Sequence, residues 1–475
     1  MPRHGEAPPR RLGPRRWPGP ALLSIGLAAV LVAGACSDSG SKTSNSTKPT
    51  TPVTMSAGPN CVKPEAAGGC LPVGPANRRV DLVKPSFSNP TSITNPLHPS
   101  SKIAQVIYGG QVDDKPFRTE FTRLSDTKTI SWNGQPVKTV IMQYVAYSDG
   151  RIQEVALDWF AQADDGAVWY FGEDVSDYED GVVQTHEGTW QAGRDGPAAM
   201  IMPANPKVGD AYRSENIPGK VFEEVTVKSV GQTVSGPSGP VSGALTASEL
   251  HMDGKREDKI FAPGYGEFST GSANGDLEQA SLAVPTDARS GPLPAQLTTL
   301  STTVRKAFDA IGRNDWTGAS AAGTALKTAW DAYRSGDVPE LLEKQMSRDL
   351  DTLAEAVAAR NPEEAHQAAL RVAQNDLDLR RRHQPVVKID LARLDLWARQ
   401  LLVDTAADNP GAVAGDVTTL ELIRDRVRHT VDPAIAARLD AQLRDLRGAA
   451  NSKDVAAAAK ATPALLATLA TIQPS

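Results

Sequence analysis

The chain has 475 residues, with 40% hydrophobic, 5% aromatic and 22% charged side chains and a formal net charge of −6. Residues 1–35 hold five arginines and one glutamate, so the chain from Cys36 onward stands at −10. Such a surface repels nucleic acid and anionic lipid headgroups; nucleic acid is excluded as a partner, and cations or basic partners are favoured.

Arg3, Arg10, Arg11, Arg15 and Arg16 precede the apolar run ALLSIGLAAVLVAGA, from Ala21 to Ala35, and Cys36 follows. A positive segment, a short apolar core and small residues before a cut are the parts of a secretory signal. The run falls short of the roughly 20 residues that a membrane span needs. Cys36, directly after Ala33-Gly34-Ala35, resembles the lipobox of bacterial lipoproteins, with Ala33 where leucine is more usual. That resemblance implies a signal peptide over 1–35 and acylation of Cys36, palmitate being a typical chain. Paired chains give stable anchoring to the outer side of the cell membrane.

Residues 36–84 read as a stalk. SDSGSKTSNSTKPTTPVTMSAGPN holds too few apolar side chains to fold. Cys61 and Cys70, in CVKPEAAGGC, are expected to form one disulfide that closes a small loop. No second Cys or His pair lies nearby to complete a metal site.

Composition then divides the rest. Nineteen of the 25 aromatic side chains lie between the signal and residue 300, and five lie beyond it. Strands are therefore expected first, over 85–286, and helices second, over 296–475. Val155, Leu157 and Trp159 alternate with Glu154, Ala156 and Asp158, and Val221, Val225 and Val227 with Glu224, Thr226 and Lys228. Asn133-Gly134, Asp149-Gly150, Asp165-Gly166, Asp180-Gly181, Asp195-Gly196 and Asp253-Gly254 are turn signals between strands. Successive hairpins without an intervening helix predict an antiparallel meander, curled into a barrel or half-barrel.

Three runs in this part, DWFAQADDGAVWYFGEDVSDYEDGVV, EGTWQAGRDGPAAMIMPANPKVGDAYR and FAPGYGEF, resemble an uncharacterised β-domain that recurs in bacterial secreted proteins and lipoproteins. The resemblance covers about residues 85–270. It implies a β fold and a surface location, and it carries no catalytic residue.

Beyond DARSGPLPAQ (Asp287–Gln296), whose prolines mark a boundary, the chain turns helical and repeats. Asn314, Asn361, Asn409 and Asn451 recur at spacings of 47, 48 and 42, each before an Ala-rich run. With asparagine as N-cap and Pro362 in a first turn, each unit is expected to hold two helices, giving an array or bundle of hairpins. The fold class is thus α+β and multidomain. The two parts differ in apolar period, which predicts separate cores.

The standard catalytic signatures are missing: GxSxG, HExxH, the P-loop and the dinucleotide fingerprint. Ser125 and Lys128 form an SxxK between strand-like segments, which reads as a turn. In the acidic run, Asp174, Asp177, Glu179 and Asp180 could offer oxygens to a hard cation such as Ca²⁺, or simply form a solvated hairpin tip. Glu363 and His366 make one Glu-x-x-His unit of the kind that builds metal sites in bundles; a second copy is absent. Asp390, Arg393, Trp397, Gln400 and Asp404 lie along one helix face at spacings of 3, 4, 3 and 4. That seam would line a ligand groove or else pair on an exposed surface. The sequence therefore points to a tethered extracytoplasmic binding or interaction lipoprotein without catalysis, whose partner is a protein or small molecule. A metal- or haem-handling lipoprotein using the helices is the alternative, and no cofactor is identified.

Overall fold

The computed structural model describes residues 61–65, 68–271 and 275–472. Cys36 lies outside them. The first half is β1 (Gln105–Val112), β2 (Lys115–Trp132), β3 (Gln135–Ser148), β4 (Arg151–Gln162), β5 (Val168–Glu179), β6 (Val182–Thr185) and β7 (Trp190–Gln191). It continues with β8 (Ala199–Met202), β9 (Ala211–Ile217), β10 (Val221–Gly236), β11 (Gly239–His251), β12 (Arg256–Ala262), β13 (Gly266–Gly271) and β14 (Leu277–Val284). Eight helices follow: α1 (Ala295–Gly312), α2 (Trp316–Arg334), α3 (Glu340–Ala359), α4 (Pro362–Arg380), α5 (Val386–Ala406), α6 (Pro410–Val427), α7 (Pro433–Asn451) and α8 (Val455–Leu469). Among the described residues no helix is long and apolar enough to cross a membrane.

The expected meander forms. Asn133-Gly134, Asp149-Gly150 and Asp180-Gly181 have positive φ at both residues, the conformation of tight hairpin turns. The sheet is antiparallel and runs β6-β5-β4-β3-β2-β1-β14-β13-β12-β11-β10-β9, with β7 and β8 also on β5. Side chains of β4 and β5 share one apolar cluster with those of β9 to β12, so the sheet curls its two ends toward each other. It stays open, and the barrel alternative is corrected: no ladder joins β6 to β9. The edges are satisfied in another way. β6, β7 and β8 take the edge of β5. Residues 79–81 take that of β9, where the Val80 amide donates to Ala211 O at 2.9 Å.

Cys61 and Cys70 are joined. The loop they close is not part of a free stalk: Val62 and Leu71 are buried against Phe222, Leu250 and Met252 of the sheet.

The helices form four antiparallel hairpins, and the repeat has a sharper form than the asparagine spacing gave. Asn314, Arg360, Asp408 and Lys453 each adopt positive φ at the end of the first helix of a pair. The next residue, Asp315, Asn361, Asn409 or Asp454, caps the second helix through its side chain. Asn361 and Asn409 are thus caps as expected. Asn314 and Asn451 are not; Asn451 ends α7.

Sheet and helices meet over one shared core. Ile107, Val145, Tyr147, Ile152, Val155 and Leu282 of the sheet belong to the same buried cluster as the apolar faces of the helices. An ion network is sealed into this layer. Glu120 of β2 accepts from Arg393 of α5 and Arg426 of α6, and Arg118 lies 2.7 Å from it. Arg118 also holds Asp378 of α4 through two hydrogen bonds of 2.7 Å. Arg393 reaches Asp378 as well, and Arg381 donates to Asp390 at 2.9 Å. Burial alone would raise the Glu120 carboxyl; Arg393, Arg426, Arg118 and Arg381 outweigh it and hold it well below the usual carboxylate range.

Removing one partner of such a buried set leaves charges uncompensated. Glu120→Ala is expected to cost about 3–5 kcal/mol in urea unfolding. Arg305→Ala, which removes an exposed pair with Asp395, should cost no more than about 1 kcal/mol. Equal losses for the two variants would show that the network adds no stability.

Candidate functional site

At one end of the layer, the C-termini of α1 and α5 and the N-termini of α4 and α6 stand over the β3–β4 and β5–β6 turns. They enclose a cleft of about 1900 Å³. Its width follows from the turns. Gly181 packs so closely on α6 that a Cβ there would lie 2.0 Å from Gly411 O. On the opposite side, Gln367 donates to Asp149 O. Arg151 forms the floor, with two hydrogen bonds to Asp404 at 2.6 and 2.9 Å and one to Asp416 at 3.1 Å.

Most of the residues singled out in the sequence come together here. Asp177, Glu179, Asp180, Glu363, His366, Trp397, Gln400 and Asp404 all line the cleft. The polar seam of α5 faces the sheet rather than solvent, and its Trp397, Gln400 and Asp404 border the cleft. Trp397 stacks on Tyr147 with centroids 5.7 Å apart, while Asp390 and Arg393 are sunk in the ion network. Asp174 is exposed and lies outside the cleft. Successive strand residues point to opposite faces, so Asp174 and Asp177 of β5 cannot serve one ion. Among the described residues, neither Asp174, Asp177, Glu179 and Asp180 nor Glu363 and His366 belong to a set of three ligand atoms within 4.8 Å of one another.

Five buried atoms on the cleft wall have no hydrogen-bond partner: Gln153 Oε1, Glu154 Oε1, Gln400 Oε1, Asp416 Oδ2 and His366 Nε2. Burial, reinforced by Asp404, pushes Asp416 well above its ordinary value. Burial likewise raises Glu154, helped by Asp177, Glu278 and Asp158. Burial lowers His366, which favours the neutral imidazole. Eleven Asp or Glu and five Lys or Arg line the cleft.

A second, smaller cavity of about 120 Å³ lies inside the curl of the sheet, and Glu278 and Asp158, whose charges act on Glu154, belong to its wall. Its wall carries Asp158, Glu173, Glu215, Glu223, Glu249, Glu267 and Glu278, against Lys259. Tyr170 donates to Asp158 at 2.6 Å, Trp190 to Glu215 at 3.0 Å, and Lys259 to Glu267 at 3.0 Å. Burial is the main reason that Asp158, Glu249 and Glu278 are raised to about 7 and Glu215 to about 8. His251 is pushed the other way: burial would lower it, but Glu223, Glu257 and Glu249 raise it to about 11.

Sequence reasoning missed this interior because alternation assigns one face of a strand to water. Here both faces are buried: Glu154 and Asp158 point into the curl, and Val155 points to the helices. A signal was present in the short apolar–acidic alternation of Glu223-x-Val225-x-Val227 and in the Glu249-x-His251 pair on β11.

No protein-family model matches the chain, and the comparison with curated proteins finds no match.

The raised carboxyls set a pH dependence. Their unfolded values are about 4, so the folded state binds more protons than the unfolded one between about pH 4 and about pH 8, and stability falls as pH rises through that window. Glu120 has the opposite sign, and its contribution is lost only as pH falls below about 4.5. Thermal melts should therefore show Tm declining from about pH 5 to about pH 8, and Glu215→Gln should flatten the decline. A Tm that rises across this range would contradict the assignment.

Proposed function

We propose that the protein is a lipid-anchored extracytoplasmic binding protein without catalysis of its own, and that the cleft between sheet and helices takes a cationic ligand rich in N–H donors. Polyamines and short basic peptides have this chemistry. The observation that carries the reading is the set of buried, unpartnered atoms on the cleft wall, four of them amide or carboxyl oxygens, within an acidic lining. A buried polar atom without a partner costs about 1–3 kcal/mol, which a ligand's donors would recover. Arg151 holds Asp404 and one oxygen of Asp416, and a cation beside the second Asp416 oxygen would draw that raised carboxyl back toward its charged form. The tether rests on Cys36 and the segment before it. The disulfide is consistent with an oxidising compartment. Reading the protein as non-catalytic rests on the missing sequence signatures. In the metal-handling alternative through the helices, Glu363 and His366 would have to find further ligands in whatever is bound.

Spermidine and tri-lysine, titrated calorimetrically into the full chain, are expected to bind saturably at one site. Glu154→Gln and Gln400→Leu should each weaken binding by about tenfold, the loss of about one charge-assisted or buried hydrogen bond. Absence of saturable binding by both probes, or unchanged affinity in both variants, would overturn the cleft assignment. For the tether, Cys36→Ala should release the protein from membranes or leave an unprocessed precursor; a lipid-labelled, membrane-bound variant would refute it.

A further inference from the structure

The cleft does not use the far wall of the inner cavity, where Glu223 of β10 and Glu249 and His251 of β11 converge. Among the described residues these three form the group whose ligand atoms, one from each side chain, lie within 4.8 Å of one another, and all three are buried. We propose that they bind a divalent transition-metal ion such as Zn²⁺ within the curl of the sheet.

Strand geometry builds the set. Glu249 and His251 are two residues apart on one strand and share a face, and Glu223 is the register partner of His251 across the β10–β11 ladder. His251 Nδ1 lies 3.3 Å from Glu223 Oε1. That ion pair holds the ring and leaves Nε2 as the nitrogen that can meet an ion. Glu249 Oε2, 3.9 Å from His251 Nε2, needs to close by only about 0.5 Å to reach the ligand–ligand edge of a tetrahedron with bonds of about 2.0–2.1 Å.

An independent observation points to a ligand. His251 is 8% exposed, and its Nε2 has no hydrogen-bond partner. The nearest oxygens, on Glu257 at 3.7 Å and Glu249 at 3.9 Å, are too far to accept its proton. The Ser214 hydroxyl, 3.2 Å from Glu249 and 3.4 Å from Glu223, orients both carboxylates. Lys259 stands 2.7 Å from Glu249 Oε2 and also 3.0 Å from Glu267, so it can keep Glu267 while Glu249 turns to an ion. Glu223 and Glu249 border the inner cavity, which offers room for water in the remaining coordination positions. The ion would take the place of the proton that the surrounding carboxylates hold on His251, and the imidazole nitrogen so freed favours a transition metal over Ca²⁺ or Mg²⁺, which prefer all-oxygen sets.

The test uses the full chain stripped with EDTA, reloaded with Zn²⁺ and passed through gel filtration. One Zn²⁺ per chain should be retained and Tm should rise, because the ion binds the folded state alone. His251→Ala and Glu249→Gln should each weaken retention by more than about tenfold. A variant lacking the exposed His186 and His429 should retain Zn²⁺ as the parent does. Failure of the parent to retain Zn²⁺, equal retention by His251→Ala, or equal retention of Ca²⁺ would overturn the proposal. Should His251→Ala fail to fold, Co²⁺ loading of the parent decides. An intense visible spectrum of four- or five-coordinate Co²⁺ supports the site, and a weak octahedral one refutes it.

Discussion

Glu120 stands on a strand in the middle of the sheet, sealed from water, and three arginines from three different elements converge on it. A charge in that position is tolerable only while its partners are fixed, since each guanidinium has itself given up hydration. The position of the helices follows from this requirement. α5 and α6 must present Arg393 and Arg426 to β2, and α4 must place Asp378 between Arg118 and Arg393. A slip of α5 by one residue would turn Arg393 away and bring an apolar side chain against the carboxylate. The apolar part of the same layer, where Tyr147 stacks on Trp397, supplies area; the charges supply register.

The cleft and the inner cavity are consequences of that register. The four guanidinium groups and their carboxylates fill the centre of the layer, and at its end the helices stand on turns rather than on the sheet face. Gly181 against Gly411 and Gln367 against Asp149 set the spacing there, so the gap remains open beside Arg151, Asp404 and Asp416. Covering the outer face of the sheet with helices also leaves its inner face as the remaining place for the strands' other side chains. Those include carboxyls that would ordinarily face water. Burial raises them, Tyr170 and Trp190 satisfy two, and Lys259 compensates part of the charge. Glu154, on the cleft wall, feels the charge of Glu278 and Asp158 on the wall of the inner cavity.

Much of the architecture was legible because it depends on local patterns. Turn pairs such as Asn133-Gly134 and caps such as Asn361-Pro362 act within a few residues, and the strand-to-helix change near Asp287 follows from composition. The candidate residues were harder, because their roles depend on what covers them. Asp390 and Arg393 were visible as a polar line on one helix face, but nothing in α5 says that Glu120, 273 residues before Arg393, will meet that line. His251 and Glu223 were invisible for a related reason. Their pairing is a cross-strand register, and alternation alone cannot tell a lumen from solvent. Open rather than closed topology was likewise undecidable from the meander, since residues 79–81 cap the edge from outside it.

The central claim is that sheet and helices form one cooperative unit locked by the charges between them. Scanning calorimetry of the full chain, with Trp fluorescence and far-ultraviolet circular dichroism followed over the same melt, tests it most directly. The account predicts a single transition with coincident probes and a calorimetric enthalpy equal to the van't Hoff value. Two resolved transitions, with the helical signal surviving after the aromatic signal of the sheet is lost, would contradict it.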